Sequence, residues 1–160
     1  MSIQVKICGL STPETLDAAL KGGASHVGFV FFAKSPRNLT AEKAAALGAG
    51  IANRAQTVGL FVVPTPDDIM RIRAMVRLNV IQLHGSETPA DVACIRAASG
   101  LEVWKAIPVR TASDLNSAAP RYGAAELRSD AVRIGTAFQT SSPLAARMRA
   151  TSAGVSLPCN

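Results

Sequence analysis

The clearest chemical group in this chain lies where a short apolar segment meets the start of a helix. Cys8 ends a strand pattern over residues 5–8, and a glycine follows it. Ser11 is placed to cap the next helix, with Pro13 in its first turn and Glu14 three residues after the cap. The pattern predicts a thiol at the carboxyl end of a β-strand, where parallel α/β folds bind ligands. The alternative is a structural role, because a lone cysteine is often a small buried residue.

Two other polar residues follow strand patterns in the same way. Arg37 lies in the loop after a pattern over residues 26–31, and His84 comes directly after one over residues 79–83. A guanidinium group suits a planar carboxylate ligand, whereas the alternative for Arg37 is a plain surface charge. His84 could line a site or only cap the following turn. We expect both to share an edge of the sheet with Cys8.

Strand and helix signals alternate along the first two thirds of the chain. Further strand patterns cover residues 57–63, 79–83 and 102–107, and Thr40, Thr65 and Thr88 precede helix patterns. Strand starts recur every ~22 to 31 residues, the length of one βα unit. Alternation of this kind predicts an α/β fold with a parallel sheet. The short units and the polar strand ends favour a (βα)8 barrel over an open doubly wound sheet, and no GxGxxG motif follows the first strand.

Two helix patterns predict buried faces from their apolar spacing. The expected inward residues are Ile69, Ile72, Met75 and Val76 on one helix, and Val92 and Ile95 on the next. Beyond about residue 120 the alternation ends, and residues 121–160 are rich in Ala, Ser and Arg. We therefore expect a partial barrel domain over residues 1–120 and an irregular tail over residues 121–160.

Composition narrows the class of protein. The 160 residues suit one domain, and 48% are hydrophobic. The net charge of +6 comes from scattered basic residues, and only 4% of residues are aromatic, so nucleic-acid binding is not expected. No apolar segment approaches the ~20 residues that span a bilayer, and no export signal is evident. The three cysteines are far apart, which favours the reducing cytoplasm.

Five short motifs occur in an order and spacing that resemble one family. They are Lys6-Ile7-Cys8-Gly9, Gly28-Phe29-Val30-Phe31 with Lys34-Ser35-Pro36-Arg37, Val58-Gly59-Leu60-Phe61-Val62, Gln82-Leu83-His84-Gly85 and Trp104-Lys105-Ala106. Over about residues 3–120 the chain is similar to phosphoribosylanthranilate isomerase of tryptophan biosynthesis. The resemblance implies a (βα)8 barrel and an Amadori rearrangement of a phosphorylated sugar-anthranilate without a cofactor or metal.

The resemblance also implies roles for single residues. Cys8 would be the general base and Arg37 would bind the anthranilate carboxylate. Asp130 would be the general acid, although Arg128 and Ser129 stand where the family has apolar residues. The glycine-rich phosphate loops of the family have no counterpart here, so a truncated or frameshifted, inactive packing partner is the alternative. A barrel with five units would expose strand edges, and we expect such a chain to be marginal alone, to aggregate or to form a homodimer.

Overall fold

Strands and helices alternate along residues 4–108 and 111, the part of the chain that the computed structural model describes. Five strands and four helices form five successive units, the last of which is described only through its strand. The elements are β1 (Lys6–Cys8), α1 (Pro13–Lys21), β2 (His26–Phe31), α2 (Ala41–Ala49), β3 (Gln56–Phe61), α3 (Pro66–Arg73), β4 (Val80–Leu83), α4 (Pro89–Ser99) and β5 (Glu102–Lys105).

All five strands belong to one parallel sheet with the order β1-β2-β3-β4-β5. Each helix therefore connects two strands that are neighbours in the sheet. Along one rung of the ladder, Cys8 pairs with Gly28, which pairs with Val58 and then Val80. The parallel α/β architecture predicted from the alternating patterns is confirmed.

The main core lies between the sheet and its helices. Fully buried side chains from the strands, such as Phe29 and Ile81, pack with buried helix residues, such as Ile69 and Ile95. A second, smaller cluster of Val58, Val80 and Trp104 contains no helix residue. Because side chains alternate across a strand, this smaller cluster marks the opposite face of the sheet, which we call the inner face.

The inner face is curved. The ring centroids of His26 on β2 and Trp104 on β5 are 5.2 Å apart. In a flat sheet these two strands would be separated by three spacings, or ~14 Å. The sheet therefore curls toward the inner face, and the helices lie on the outside of the curve.

Threonine residues determine where the helices begin. The hydroxyls of Thr40, Thr65 and Thr88 accept hydrogen bonds from the third residue of each following helix, which confirms these three predicted caps. The predicted cap at Ser11 is wrong, because Thr12 caps α1 and its hydroxyl accepts from the backbone N–H of Thr15. Proline at the first helical position sets this register, since the residue before it must be extended.

Helix α3 ends earlier than the apolar spacing predicts. It stops at Arg73, so Met75 leaves the helical face and is 50% exposed, which makes its predicted burial wrong. Ile69 and Val76 are buried as predicted, and Ile72 packs at the edge of the core. The predicted inward residues Val92 and Ile95 of α4 are buried. The irregular tail over residues 121–160 and the boundary at residue 120 lie outside the described residues and stay predictions.

Candidate functional site

Cys8 is the last residue of β1, and its thiol lies on the inner face. A Cβ atom added to Gly28 would lie 2.9 Å from the Cys8 sulfur and 3.3 Å from Cε of Lys6. Gly28 therefore leaves the space that both side chains use. The sulfur is half-buried rather than enclosed in the main core. The prediction of a thiol at the carboxyl end of a parallel strand is confirmed, and its catalytic role stays a prediction.

Arg37 reaches back across the turn that follows Cys8. A Cβ on Gly9 would lie 2.7 Å from Cδ of Arg37 and 2.9 Å from Nη1, so the guanidinium side chain lies directly over this glycine. Gly9 also has a φ of +80°, a conformation that favours glycine. The loop returns to the sheet where the N–H of Leu39 donates to the carbonyl of Val30. The structure therefore places the Arg37 side chain over the residue that follows Cys8, at the shared edge of the sheet that was expected.

His84 extends β4 at the same edge of the sheet. Its backbone N–H donates to the carbonyl of Phe61 at the end of β3, with an N–O distance of 2.9 Å. His84 is exposed at the surface. The prediction that His84 follows a strand on the edge shared with Cys8 is confirmed, whereas its contact with a ligand stays a prediction. Asp130, the predicted acid, lies outside the described residues.

A buried ion pair beside His84 was not predicted from the sequence. Nζ of Lys105 lies 2.8 Å from Oε2 of Glu87, and the two side chains are 8% and 2% exposed. Burial raises the pKa of Glu87, but hydrogen bonds from Lys105 and from the backbone N–H of Val63 outweigh it, so the net pKa falls below its ordinary value of 4.5. The one signal in the sequence was a lysine within the strand pattern over residues 102–107.

Polar side chains also lie along the inner face, away from the carboxyl ends of the strands. Oγ of Ser25 is 3.0 Å from Nδ1 of His26, and Nε1 of Trp104 donates to the carboxylate of Glu102. Among the described residues, the buried Oε1 of Gln82 has no hydrogen-bond partner. A polar lining of this kind suits a ligand with oxygen substituents better than a hydrocarbon.

One groove in the described part of the chain lies away from these residues. A cavity of about 190 Å³ opens between α1 and α2 and includes Leu16, Leu47 and Arg54. It is on the outer side of the sheet and contains none of the predicted site residues, so we assign no chemistry to it. Within residues 4–108 and 111, no three His, Cys, Asp or Glu side chains cluster as metal ligands. The helices in that same region are too short or too polar for a membrane span.

A curled parallel sheet with helices outside and polar residues at its strand ends places the described part of this chain in the class of (βα)8 barrel proteins, as five of the eight strands. Solved structures of that class support the assignment. A dimeric phosphoribosylanthranilate isomerase from Thermotoga maritima, solved as mutually generated monomers, superposes with a TM-score of 0.66 and 35% identity, over 73% of this chain and 59% of that one. A second isomerase structure, in complex with reduced 1-(o-carboxyphenylamino)-1-deoxyribulose 5-phosphate, superposes with a TM-score of 0.68 and 34% identity. That match also covers 73% of this chain and 59% of the other.

Sequence comparison identifies the family. Residues 5–142 match the family model for N-(5'-phosphoribosyl)anthranilate (PRA) isomerase. The N-(5'-phosphoribosyl)anthranilate isomerase of Rhodospirillum centenum is 48% identical over 126 residues, and that of Erythrobacter litoralis is 47% identical over 122 residues. The chain belongs to the phosphoribosylanthranilate isomerase family, and the resemblance inferred from the five motifs is confirmed.

The match covers most of this chain but only part of each relative. The alignments cover 79% and 76% of this chain, but the chain spans only 59% and 58% of the two relatives. The family match also continues past residue 120 to residue 142, further than the motifs indicated. The comparisons do not support the alternative of an inactive packing partner.

Proposed function

We propose that this chain catalyses the Amadori rearrangement of N-(5'-phosphoribosyl)anthranilate. The observation that carries the proposal is that Cys8 and the Arg37 side chain both lie at the carboxyl end of β1, where Gly28 leaves room for the first and Gly9 for the second. A base and a carboxylate-binding cation on one edge of a parallel sheet match the needs of this substrate. Family membership and the solved relative with a bound product analogue support the same substrate class.

The reaction needs one acid and one base. The acid protonates the ribose ring oxygen, and the bond between that oxygen and C1 breaks while the anthranilate nitrogen supplies electrons to form an iminium ion. The base removes the proton from C2, and the C2–H electrons form a C1–C2 double bond as the C1–N π electrons return to nitrogen. Transfer of a proton to C1 and loss of the C2 hydroxyl proton then give the ketone. Atoms and charge balance without a cofactor.

Each role has a candidate in this chain. Cys8 is the base, because its sulfur lies at the carboxyl end of β1 and can accept the proton that leaves C2. Arg37 binds the carboxylate of the anthranilate ring in a forked, two-point contact. His84 lines the site on the side of β4, and Asp130 is the acid. We place the reaction in the cytoplasm, which the scattered cysteines favour.

Growth of an isomerase-deficient tryptophan auxotroph tests the activity. We expect the chain to restore growth without tryptophan and the Cys8→Ala variant to fail, because only the base is lost. Purified wild-type chain should also bind reduced 1-(o-carboxyphenylamino)-1-deoxyribulose 5-phosphate, and Arg37→Met should weaken that binding. Growth that is unchanged in Cys8→Ala would reject the assigned base, and a wild-type chain that neither restores growth nor binds the analogue would reject the function.

We also propose that the chain acts as a homodimer. One solved relative is described as dimeric, and β1 and β5 are the outermost strands of the described sheet. Outer strands carry backbone groups that can pair with another chain. Sedimentation equilibrium should give twice the mass of 16.6 kDa, whereas a stable, soluble monomer would overturn this proposal.

A further inference from the structure

The ion pair between Glu87 and Lys105, here called the Glu87–Lys105 pair, connects three neighbouring strands at the edge that carries the candidate site. Lys105 is the last residue of β5. Glu87 follows β4 by four positions and accepts a hydrogen bond of 2.7 Å from the backbone N–H of Val63, which follows β3. One buried pair therefore fixes the segments after β3 and β4 relative to the end of β5.

The turn next to His84 is held from both sides by the same pair. The N–H of Gly85 donates to the Glu87 carboxylate at 2.9 Å, and the carbonyl of Gly85 accepts from Nζ of Lys105 at 2.6 Å. Both backbone groups of the residue that follows His84 are thus satisfied by charged side chains. Charge-assisted hydrogen bonds of this kind restrict a turn more than bonds between neutral groups.

Val63 is held in an unfavourable backbone conformation at this edge. Its φ is +48°, which is rare for a β-branched residue, and its side chain is 61% exposed. A Cβ on Gly85 would lie 2.7 Å from Cγ2 of Val63 and 2.8 Å from Oε1 of Glu87, so no other residue fits at Gly85 without movement. Strained residues persist only where their surroundings hold them, and they are concentrated at functional sites.

A gain in the stability of the fold does not by itself explain a buried ion pair at this place. Two charges lose much of their hydration when they are buried, and apolar side chains of similar volume often serve a core equally well. Apolar side chains could not, however, accept from the N–H groups of Val63 and Gly85. The pair is therefore best explained by the shape that it gives to the loops around His84.

We propose that Glu87 and Lys105 are positioning residues for ligand binding. By holding Gly85 and Val63, they set the direction in which His84 faces the sugar of a phosphorylated sugar-anthranilate. Both side chains are almost fully buried, and their charged atoms bind each other and the backbone of Val63 and Gly85. This inference rests on the proposed function, since it names the residues that shape that same site.

The test uses the full chain and the double variant Glu87→Gln with Lys105→Met, which leaves no unpaired buried charge. Lys105→Arg is the conservative variant, because it keeps the cation and its hydrogen-bond donors. Lys21→Met is the matched control, since Lys21 forms an ion pair of 2.7 Å with Asp17 on an exposed helix surface. The probe is reduced 1-(o-carboxyphenylamino)-1-deoxyribulose 5-phosphate.

The readouts are the Kd of the probe and the ring proton resonances of the two histidines. His84→Ala assigns the His84 resonance, and the resonance of buried His26 reports on the fold. In wild type, Lys105→Arg and Lys21→Met, the probe should shift the His84 resonance. In the double variant the Kd should rise by roughly tenfold to a hundredfold, and the His84 shift should be lost while His26 keeps its position.

The outcomes separate the two proposals. Wild-type affinity and a normal His84 shift in the double variant would overturn the positioning role and leave the proposed function intact. A wild-type chain that does not bind the probe would overturn the proposed function, and this inference with it. Loss of the native His26 resonance together with loss of binding would show that the pair supports the fold rather than the site, which also overturns the inference.

Discussion

The two sides of the candidate site are built by different means. On the side of β1 and β2, two glycines leave space, so that the Cys8 sulfur lies over Gly28 and the Arg37 side chain lies over Gly9. On the side of β3 to β5, a buried carboxylate and ammonium hold the backbone of Val63 and Gly85. The first side depends on the space that glycine leaves because it has no Cβ atom, and the second depends on a buried ion pair.

The two sides of the site should therefore respond differently to amino-acid substitutions. A side built on glycine space should tolerate changes of charge nearby but not an added methyl group, because packed atoms cannot overlap. A side built on a buried ion pair should tolerate loss of both charges better than loss of one, because a single buried charge stays unpaired. Variants on the two sides can therefore separate steric from electrostatic control of the site.

The largest effect should come from removing one charge of the Glu87–Lys105 pair. Lys105→Met leaves the Glu87 carboxylate buried without its cation, and we expect the free energy of unfolding to fall by about 3–5 kcal/mol. Urea denaturation measures this change. Lys21→Met removes a cation from an exposed ion pair of similar length and should have little effect. Equal losses in the two variants would contradict electrostatic control on this side.

Acid should weaken the same side of the site. The pKa of Glu87 is net lowered, because the hydrogen bonds from Lys105 and Val63 outweigh the opposing effect of burial. Its contribution to stability is therefore complete above the pKa of the unfolded chain and is lost as pH falls through the lower pKa of the folded chain. The stability difference between wild type and the double variant Glu87→Gln with Lys105→Met should shift steadily against the wild type as pH falls below 4.5.

Other carboxylates with lowered pKa values do not disturb this comparison. Thr65 and Thr88 donate hydrogen bonds to Asp68 and Asp91 and lower the pKa of each. Both aspartates are present in wild type and in the double variant, so their effects cancel in the difference. A difference that is independent of pH would show that Glu87 does not titrate as proposed.

On the side of β1 and β2, a substitution at glycine should disturb the site through steric overlap. Gly28→Ala would place a Cβ 2.9 Å from the Cys8 sulfur and 3.2 Å from its Cα, so β1 or the thiol must move. We expect a loss of about 1–3 kcal/mol in the free energy of unfolding, and a fall in kcat of roughly tenfold to a hundredfold from the displaced base. Thermal denaturation and the rate of isomerisation measure these effects.

Gly48→Ala is the matched control for that variant. Gly48 lies within α2, and a Cβ there would meet no heavy atom within 4 Å. Alanine should therefore stabilise the helix by about 0.5–1 kcal/mol and leave the rate unchanged. If the two substitutions change stability in the same direction, the contact with Cys8 does not control this side.

The smallest effect should come from relieving the strain at Val63. Asparagine tolerates positive φ far better than valine, so Val63→Asn should raise the free energy of unfolding by about 1 kcal/mol. Chemical denaturation measures the gain. The same variant in the background of Glu87→Gln with Lys105→Met should gain less, because without the pair Val63 can leave the strained conformation. Equal gains in both backgrounds would show that the pair does not impose the strain.

The sequence predicted Cys8, Arg37 and His84 at one edge of the sheet, but it missed the ion pair that holds the loops on the side of β3 to β5. Cys8 and Arg37 each follow a strand pattern, so a parallel sheet must bring them to one edge. Lys105 lies within the strand pattern over residues 102–107, but its partner Glu87 is 18 residues away and no local pattern connects them. The errors at Ser11 and Met75 have a similar cause, since the start and end of a helix depend on single contacts that spacing does not specify.

By itself, the sequence determined that short apolar strands alternate with threonine-capped helices, and that a thiol, a guanidinium and an imidazole follow three of those strands. These features are local, since they depend on periodicity and on the residues that begin a helix. Only the tertiary structure decided which charges are buried together, which glycines lie beneath a side chain and which valine is strained. Those features depend on distances between segments far apart in the chain, and the packed sheet sets those distances.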